Sequence, residues 1–121
     1  MKAADVTEAN FQNAMKDVQA GVGAINKSMR ETPTDLSAAV AAAKAVDAAL
    51  AVTEGFWAAR KTQDAVEMNA KARAAAQAVA KAAATNDAAA TGEAMKAVFP
   101  NCKGCHDAHR EKQADGSYTI K

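Results

Sequence analysis

Two cysteines and a histidine near the C-terminal end of the chain have a spacing that points directly to a chemistry. Cys102, Cys105 and His106 stand in the order C-x-x-C-H, the pattern by which haem is attached covalently. Two thiols three residues apart on a helical turn can add to the two vinyl groups of one porphyrin. The adjacent imidazole then lies under the iron as an axial ligand. The motif predicts one covalent haem c bound through Cys102 and Cys105, with His106 as the proximal iron ligand.

A haem-free thiol or zinc module is the alternative interpretation of the same residues, because C-x-x-C also occurs in zinc sites and redox-active dithiols. His109 would extend the motif to C-x-x-C-H-x-x-H, a set of four metal ligands. Structural zinc sites normally draw their ligands from two separated pairs, which favours an exposed or supporting role for His109. The chain has no other cysteines, so thioether formation would leave none for a disulfide.

The composition indicates a small all-helical protein. Of the 121 residues, 35 are alanine and only 2 are proline, which favours helices throughout. The length predicts one domain over residues 1–121, with a short flexible tail at about 115–121. An interior lined by alanine buries little apolar area per residue, so a large flat cofactor could supply much of the missing core.

Charge and hydropathy exclude several classes of partner. The net charge is +1 with both signs interspersed, so we expect neither nucleic-acid binding nor a polybasic membrane surface. The longest weakly polar run, 38–52, is interrupted by Lys44 and Asp47, which argues against membrane insertion. No signal peptide is visible. Because haem is attached to C-x-x-C-H where exported proteins mature, we expect a periplasmic protein whose leader has been removed.

Apolar residues recur at helical spacing in four segments. The predicted helices cover about residues 5–31, 33–54, 57–84 and 87–113, the third beginning somewhere between 57 and 62. Asp5 is expected to cap the first helix, with Glu8 completing a capping box. Gly55 is expected to end the second helix as a left-handed cap. Pro100 predicts a kink or a restart in the fourth helix, just ahead of Cys102.

Four helices with short connections are most simply arranged up, down, up, down as an antiparallel bundle. The start of the first helix, the junction of the second and third, and the end of the fourth then lie at one end. The aromatic residues of the chain fall in or near these places, and so does the C-x-x-C-H motif; they are Phe11, Phe56, Trp57, Phe99 and Tyr118. We therefore expect the haem at an aromatic end of the bundle.

The second axial position decides between electron transfer and gas binding, because a thioether ligand suits the first and an empty apolar face the second. Met95 precedes His106 on the same helix by about 16 Å of helix rise, too far to reach over the ring. Met29 lies about 21 Å along the first helix from Met15, at the far end of the bundle. Met68 is possible. Met15, on the inward stripe near the start of the first helix, is the best candidate, although methionines in such stripes often only fill gaps in the core.

The pieces together resemble the class II c-type cytochromes, which include cytochrome c prime and its low-spin relatives. The match is clearest over residues 70–110, ending in Cys102-Lys103-Gly104-Cys105-His106 and Arg110 one turn later. The resemblance implies a four-helix bundle, His106 as the proximal ligand and Arg110 as a basic residue near the proximal face. It also places Met15 at the position that faces the iron, which is a methionine ligand in low-spin members and an apolar residue in gas-binding ones. Trp57-Ala58-Ala59 is similar to a tryptophan segment found in some members.

The chain departs from that family at the edge of the pocket. Phe11 stands where many members have an arginine, so a basic contact to the haem propionates is missing and Arg60 or Lys61 is the candidate replacement. His109 stands where an aromatic residue is common, and Pro100 is unexpected in the last helix.

These observations predict an extracytoplasmic electron-transfer cytochrome that is not an enzyme, since no bond chemistry of its own is implied. The alternative is a five-coordinate haem protein that binds small gases, with Met15 only lining the distal pocket. The redox partner is not identified by the sequence, and a homodimer through the first and second helices is possible. The residues expected to contact the haem are Cys102, Cys105, His106, Met15, Phe11, Val18, Phe56, Trp57, Met68, Phe99 and Arg110, with His106 and Met15 as iron ligands.

Overall fold

Four long helices make up most of the computed structural model, which describes residues 7–30, 35–112, 114 and 118–120. In chain order the elements are α1 (Glu8–Arg30), α2 (Ser37–Ala59), α3 (Gln63–Ala84), α4 (Ala88–His109), β1 (Arg110–Lys112) and β2 (Tyr118–Ile120). The predicted all-α class is confirmed. The two short strands form an antiparallel pair after the last helix.

The helices form the predicted antiparallel four-helix bundle, in which each helix packs along the next in sequence. At one end, Phe11 of α1 lies beside Phe56 of α2, with ring centroids 4.8 Å apart. At the same end of the α3 and α4 pair, Asp64 of α3 contacts His109 of α4 at 2.7 Å. The start of α1, the α2–α3 junction and the end of α4 therefore meet at one end, as the up-down-up-down arrangement requires.

Small residues let α1 and α2 pack closely. A Cβ added to Gly21 would lie 2.5 Å from Cγ2 of Val46 and 3.1 Å from the carbonyl oxygen of Ala42. Gly23, by contrast, has nothing within 4 Å of such a Cβ. Gly21 thus serves the close approach of two backbones, whereas Gly23 lies on the exposed face of the same helix.

The observed helix starts use short polar side chains as caps. Thr7 Oγ1 accepts from the amide of Asn10 at 3.1 Å, and Asn10 Oδ1 accepts from the amide of Thr7 at 3.2 Å. This reciprocal pair is the capping box at the start of α1. The expected cap, Asp5, lies outside the described residues. At the start of α4, Asp87 accepts from the amide of Ala90 at 3.0 Å.

The second helix does not end at Gly55, so that prediction is wrong. Helix α2 continues through Phe56 and Trp57 to Ala59, because both aromatic side chains are buried when the helical path is extended. The chain turns instead at Lys61, whose φ of 59° is left-handed. Burial of two large rings outweighs the preference of glycine for a helix end.

The last helix passes through Pro100 without a restart, and it ends at His109 rather than near Gln113. Pro100 and Lys96 are both exposed, so water can satisfy the Lys96 carbonyl that loses its helical donor. After His109 the chain becomes extended because β1 pairs with β2, Arg110 opposite Ile120. Part of the predicted flexible tail is therefore a strand, and residues 115–117 and 121 lie outside the described part.

Polar groups fix the register of α2 against α3. Thr53 and Asn69 are both buried, and the Thr53 hydroxyl is hydrogen-bonded to Oδ1 of Asn69. Arg73 binds Asp47 and Glu54, each at 2.9 Å. Within the described ranges, no helix has the length and apolar character that crossing a membrane requires.

Candidate functional site

The C-x-x-C-H motif occupies the last two turns of α4, at the end of the bundle where the aromatic residues gather. At about 100° per residue, Cys102 and His106 lie about 40° apart around the helix, and Cys105 lies about 100° from His106. Cys102 is half-buried against the central core, and Cys105 is only 8% exposed within the aromatic cluster. Both cysteines thus pack against the interior of the bundle, and the half-buried His106 lies within about 100° of them around the helix.

The two thiols are held in their protonated form. Burial raises the pKa of the Cys102 thiol. Burial, reinforced by Cys102 and Asp64, raises the pKa of Cys105 to about 11. A redox-active dithiol needs a lowered pKa so that a thiolate attacks at neutral pH. The environment therefore disfavours the dithiol interpretation of the motif.

The imidazole of His106 is held in the neutral form. Partial burial, with the nearby positive charge of Arg110, lowers the pKa of His106 below its ordinary value despite the opposing effect of Asp107. At neutral pH the ring consequently keeps a free nitrogen lone pair, which is the form that binds a metal. Arg110 lies close enough to His106 for its charge to contribute to the lowered pKa of the imidazole.

The aromatic cluster next to the motif is built by α1 and α2. Phe11 and Trp57 have ring centroids 5.4 Å apart, Phe56 and Trp57 5.0 Å, and both pairs are edge-to-face. Ala65 and Cys105 complete the buried group. Three of the five aromatic residues thus come together beside the motif.

The other two aromatic residues stand differently. Phe99 is 45% exposed and lies outside the cluster, because Met95 and Val98 take the inward positions of that stretch of α4. Tyr118 belongs by its backbone to strand β2. The structure therefore does not bring Phe99 to the site, contrary to the expectation from sequence position.

Met15 lies one turn after Phe11 on α1, and its partly buried side chain packs against two clusters. One is the aromatic cluster, and the other contains Val18 and Leu50. Met15 thus stands at the border between the aromatic end and the middle of the bundle. Val18, one turn further along, is buried in the second cluster and forms the deeper wall.

Met68 touches the motif from the opposite side of α4. Its sulfur lies 2.9 Å from the point that a Cβ on Gly104 would occupy. Gly104 and His106 are two residues apart, so their directions from the helix axis differ by about 160°. Met68 thus contacts the motif turn on the side away from His106, and it also packs against the aromatic cluster that includes Cys105.

His109 makes a contact that the sequence did not reveal. Its Nε2 lies 2.7 Å from Oδ2 of Asp64, and its ring centroid is 4.9 Å from that of Trp57. The side chain bridges α3 and the aromatic cluster and does not point to a common centre with the cysteines. Among the described residues, no three His, Cys, Asp or Glu side chains converge as metal ligands. The only sequence signal for the pair was that an antiparallel α3 and α4 bring the start of one to the end of the other.

The arrangement as a whole is a four-helix bundle with a haem-attachment motif on the last helix. Over 100% of this chain and 98% of the other, it superposes with a TM-score of 0.71 on a solved cytochrome c′ that is 18% identical in sequence. That protein is described as having an unusual ligand-controlled dimer dissociation. The fold of the chain is therefore that of cytochrome c′. No protein-family model and no curated protein matches the sequence.

A covalently bound haem fits these residues. Trp57 is 2% exposed, and its Nε1 has no hydrogen-bond partner in the described part of the chain. A buried donor without an acceptor is unfavourable, and haem carries carboxylate acceptors at its edge. The thiols, the neutral imidazole and the apolar rings supply the other contacts that a porphyrin needs.

Proposed function

We propose that the protein is a c-type cytochrome that carries electrons, with one haem c bound through Cys102 and Cys105. The observation that carries the proposal is the placement of both thiols and the neutral His106 imidazole on one turn beside the aromatic cluster. The haem would supply a ferric–ferrous couple, and in this proposal the protein is an electron carrier rather than an enzyme.

Each attachment residue has a distinct task. Cys102 and Cys105 would hold the haem, since each thiol could add across one vinyl group, the sulfur bonding to one carbon and the proton to the other, with no oxidant or reductant required. His106 provides the proximal nitrogen, and Arg110 keeps a positive charge close to it. The buried rings of Phe11, Phe56 and Trp57 exclude water from this end of the bundle, which favours a stable redox couple over exchange of ligands with solvent.

Met15 is the distal ligand in this proposal. Its thioether lies on α1 beside the aromatic cluster, so it can approach an iron held by α4 from across the bundle. Met68, the competing sulfur, packs on the side of α4 that faces away from His106. A thioether from Met15, together with the imidazole of His106, would raise the potential of the iron.

A second function, binding of a small gas, is favoured by the packing of Met15. The side chain already contacts two apolar clusters, so it has a core role that requires no bond to iron. In that case Met15 and Val18 would line an apolar distal pocket. The cytochrome c′ of similar fold is described as responding to a ligand by dimer dissociation, which is compatible with this alternative.

We also propose that the protein matures in the periplasm.

A homodimer through α1 and α2 is a further part of this proposal. A shallow apolar depression on the outer face of these helices is lined by small residues including Ala20, Ala45 and Ala48, all exposed. Small side chains allow helices of two copies to approach closely. Sedimentation of Ala48→Glu, with Ala78→Glu on the exposed face of α3 as the control, tests the interface. Only the first variant is expected to be monomeric.

The absorption spectrum of the purified, haem-loaded protein tests the main proposal. A six-coordinate low-spin spectrum with a near-infrared sulfur-to-iron band is the expected result. A high-spin spectrum that shifts with carbon monoxide or nitric oxide would favour the gas-binding alternative. Absence of a Soret band, in a host that attaches haem, would refute both.

A further inference from the structure

We propose that Trp57 and Arg60 form the binding site for a haem propionate, the indole N–H and the guanidinium together receiving one carboxylate. The inference rests on the proposed haem attachment and goes beyond it. The sequence offered Arg60 or Lys61 as the basic contact to the propionates, and the observations below favour Arg60 and add the indole of Trp57.

The indole nitrogen of Trp57 is the first observation. The ring packs against both Phe11 and Phe56, with centroids 5.4 and 5.0 Å away. In the described part of the chain, its Nε1 is the single buried side-chain nitrogen or oxygen without a hydrogen-bond partner. The other buried polar side chains near α2 and α3, Thr53 and Asn69, satisfy each other. A donor left open in an otherwise satisfied core indicates an acceptor that arrives with a ligand.

The chemistry of the ligand narrows the acceptor to one group. The surface of a porphyrin is apolar except at the propionates, and the iron is occupied by its axial ligands. An indole N–H can donate but not accept, so only a propionate oxygen can pair with it. Hydrogen bonds to an ionised carboxylate are stronger than those to neutral acceptors, particularly where water is excluded.

Arg60 is the second, independent observation. Its Cζ lies 4.1 Å from the centroid of the Phe56 ring, so the guanidinium is stacked on the same aromatic cluster that contains Trp57. A guanidinium over an aromatic ring can still donate from its N–H groups to a carboxylate. The positive charge of Arg60, three residues after Trp57, would offset the cost of burying a propionate at the edge of the haem.

The acidic group at the start of α3 does not oppose this arrangement. Asp64 is bound by His109 at 2.7 Å, and the His109 ring covers Trp57 on one side at a centroid distance of 4.9 Å. The negative charge nearest the cluster on α3 is thus engaged with His109 rather than facing the proposed carboxylate position.

The chain has a single tryptophan, so ultraviolet resonance Raman spectra of the haem-loaded protein report the hydrogen-bonding state of Trp57 directly. A hydrogen-bonded indole is expected. The variant Trp57→Phe removes the donor and keeps an aromatic ring, and its midpoint potential should fall. The reason is that a propionate without its partner carries more effective negative charge, which stabilises the ferric state.

Arg60→Gln and Lys61→Gln form a matched pair, since each removes one positive charge at neighbouring positions. Only Arg60→Gln should lower the midpoint potential markedly, because only Arg60 is stacked on Phe56. A free indole in the wild type, or equal shifts in the two variants, overturns the proposal, as does an unchanged potential in Trp57→Phe. If Trp57→Phe does not fold, the Raman spectrum of the wild type and the comparison of Arg60→Gln with Lys61→Gln still test the proposal. An intact Soret band in these samples separates failure of this inference from failure of haem attachment.

Discussion

The sulfur of Met68 packs against Gly104 on the side of α4 that faces away from His106. The contact places one of the two candidate iron ligands behind the attachment turn. Met15 of α1 also contacts the aromatic cluster, and in the proposed function it is the thioether that would bind the iron.

Replacing Met15 with alanine should therefore abolish the six-coordinate low-spin spectrum and lower the midpoint potential. Met68→Ala should keep the spectrum and instead lose about 2 kcal/mol of unfolding free energy, since it removes packing only. Visible spectra and urea unfolding of the two variants measure both effects. If Met68→Ala changed the coordination while Met15→Ala did not, the assignment of the distal ligand would be reversed.

Two glycines of α1 give a paired test of helix packing. Gly23→Ala should stabilise the protein by about 1 kcal/mol, because the added methyl group meets nothing and alanine favours the helix. Gly21→Ala should destabilise it by about 1–3 kcal/mol through overpacking against Val46 and the Ala42 carbonyl. Thermal unfolding measures both. Equal effects of the two substitutions would contradict the close approach of α1 and α2.

The buried pair between α2 and α3 should be sensitive to the loss of one member. Thr53→Val leaves the Asn69 amide oxygen without the hydroxyl donor in a dry environment, so a loss of about 1–3 kcal/mol is expected. The double variant Thr53→Val, Asn69→Leu removes both polar groups and should recover part of that loss. Urea unfolding measures the free energy of unfolding of both variants. If the double variant is no more stable than Thr53→Val, the loss of stability comes from the change of side-chain shape and not from the unpaired polar group.

The contact between Asp64 and His109 predicts a dependence of stability on pH. The hydrogen bond from His109 lowers the pKa of Asp64 below its ordinary value near 3.8. A carboxylate whose pKa is lower in the folded state than in the unfolded state stabilises the fold at pH values above the unfolded-state pKa. This stabilisation is lost as the pH falls through the folded-state pKa. Wild type should exceed Asp64→Asn in stability at neutral pH, with the difference shrinking below about pH 4.

A double-mutant cycle with His109→Asn isolates that pair. Unfolding free energies of the two single variants and the double variant should show a coupling at neutral pH that disappears in acid. Coupling that stays constant across this range would mean that the two side chains contribute through packing on Trp57 alone.

Much of the arrangement was predictable because it follows from spacing. The positions of Cys102, Cys105 and His106 on one turn, and the meeting of Phe11 with Phe56 and Trp57, need only helix periodicity and an antiparallel order. The end of α2 was not predictable, since local preference at Gly55 competes with the burial of two rings that follow it. The side of α4 that Met68 contacts was also not predictable, because helix rise gives a distance along the helix axis and not a direction around it.

The short hairpin after the motif connects the C-terminal end of α4 to the first two helices. Ile120 of β2 packs against the aromatic cluster that Phe11 of α1 and Phe56 of α2 share with Cys105. Since β1 follows α4 directly and pairs with β2, loss of this strand pair would expose buried rings contributed by other helices. The segment after the motif therefore contributes to the stability of an end of the bundle that it does not itself build.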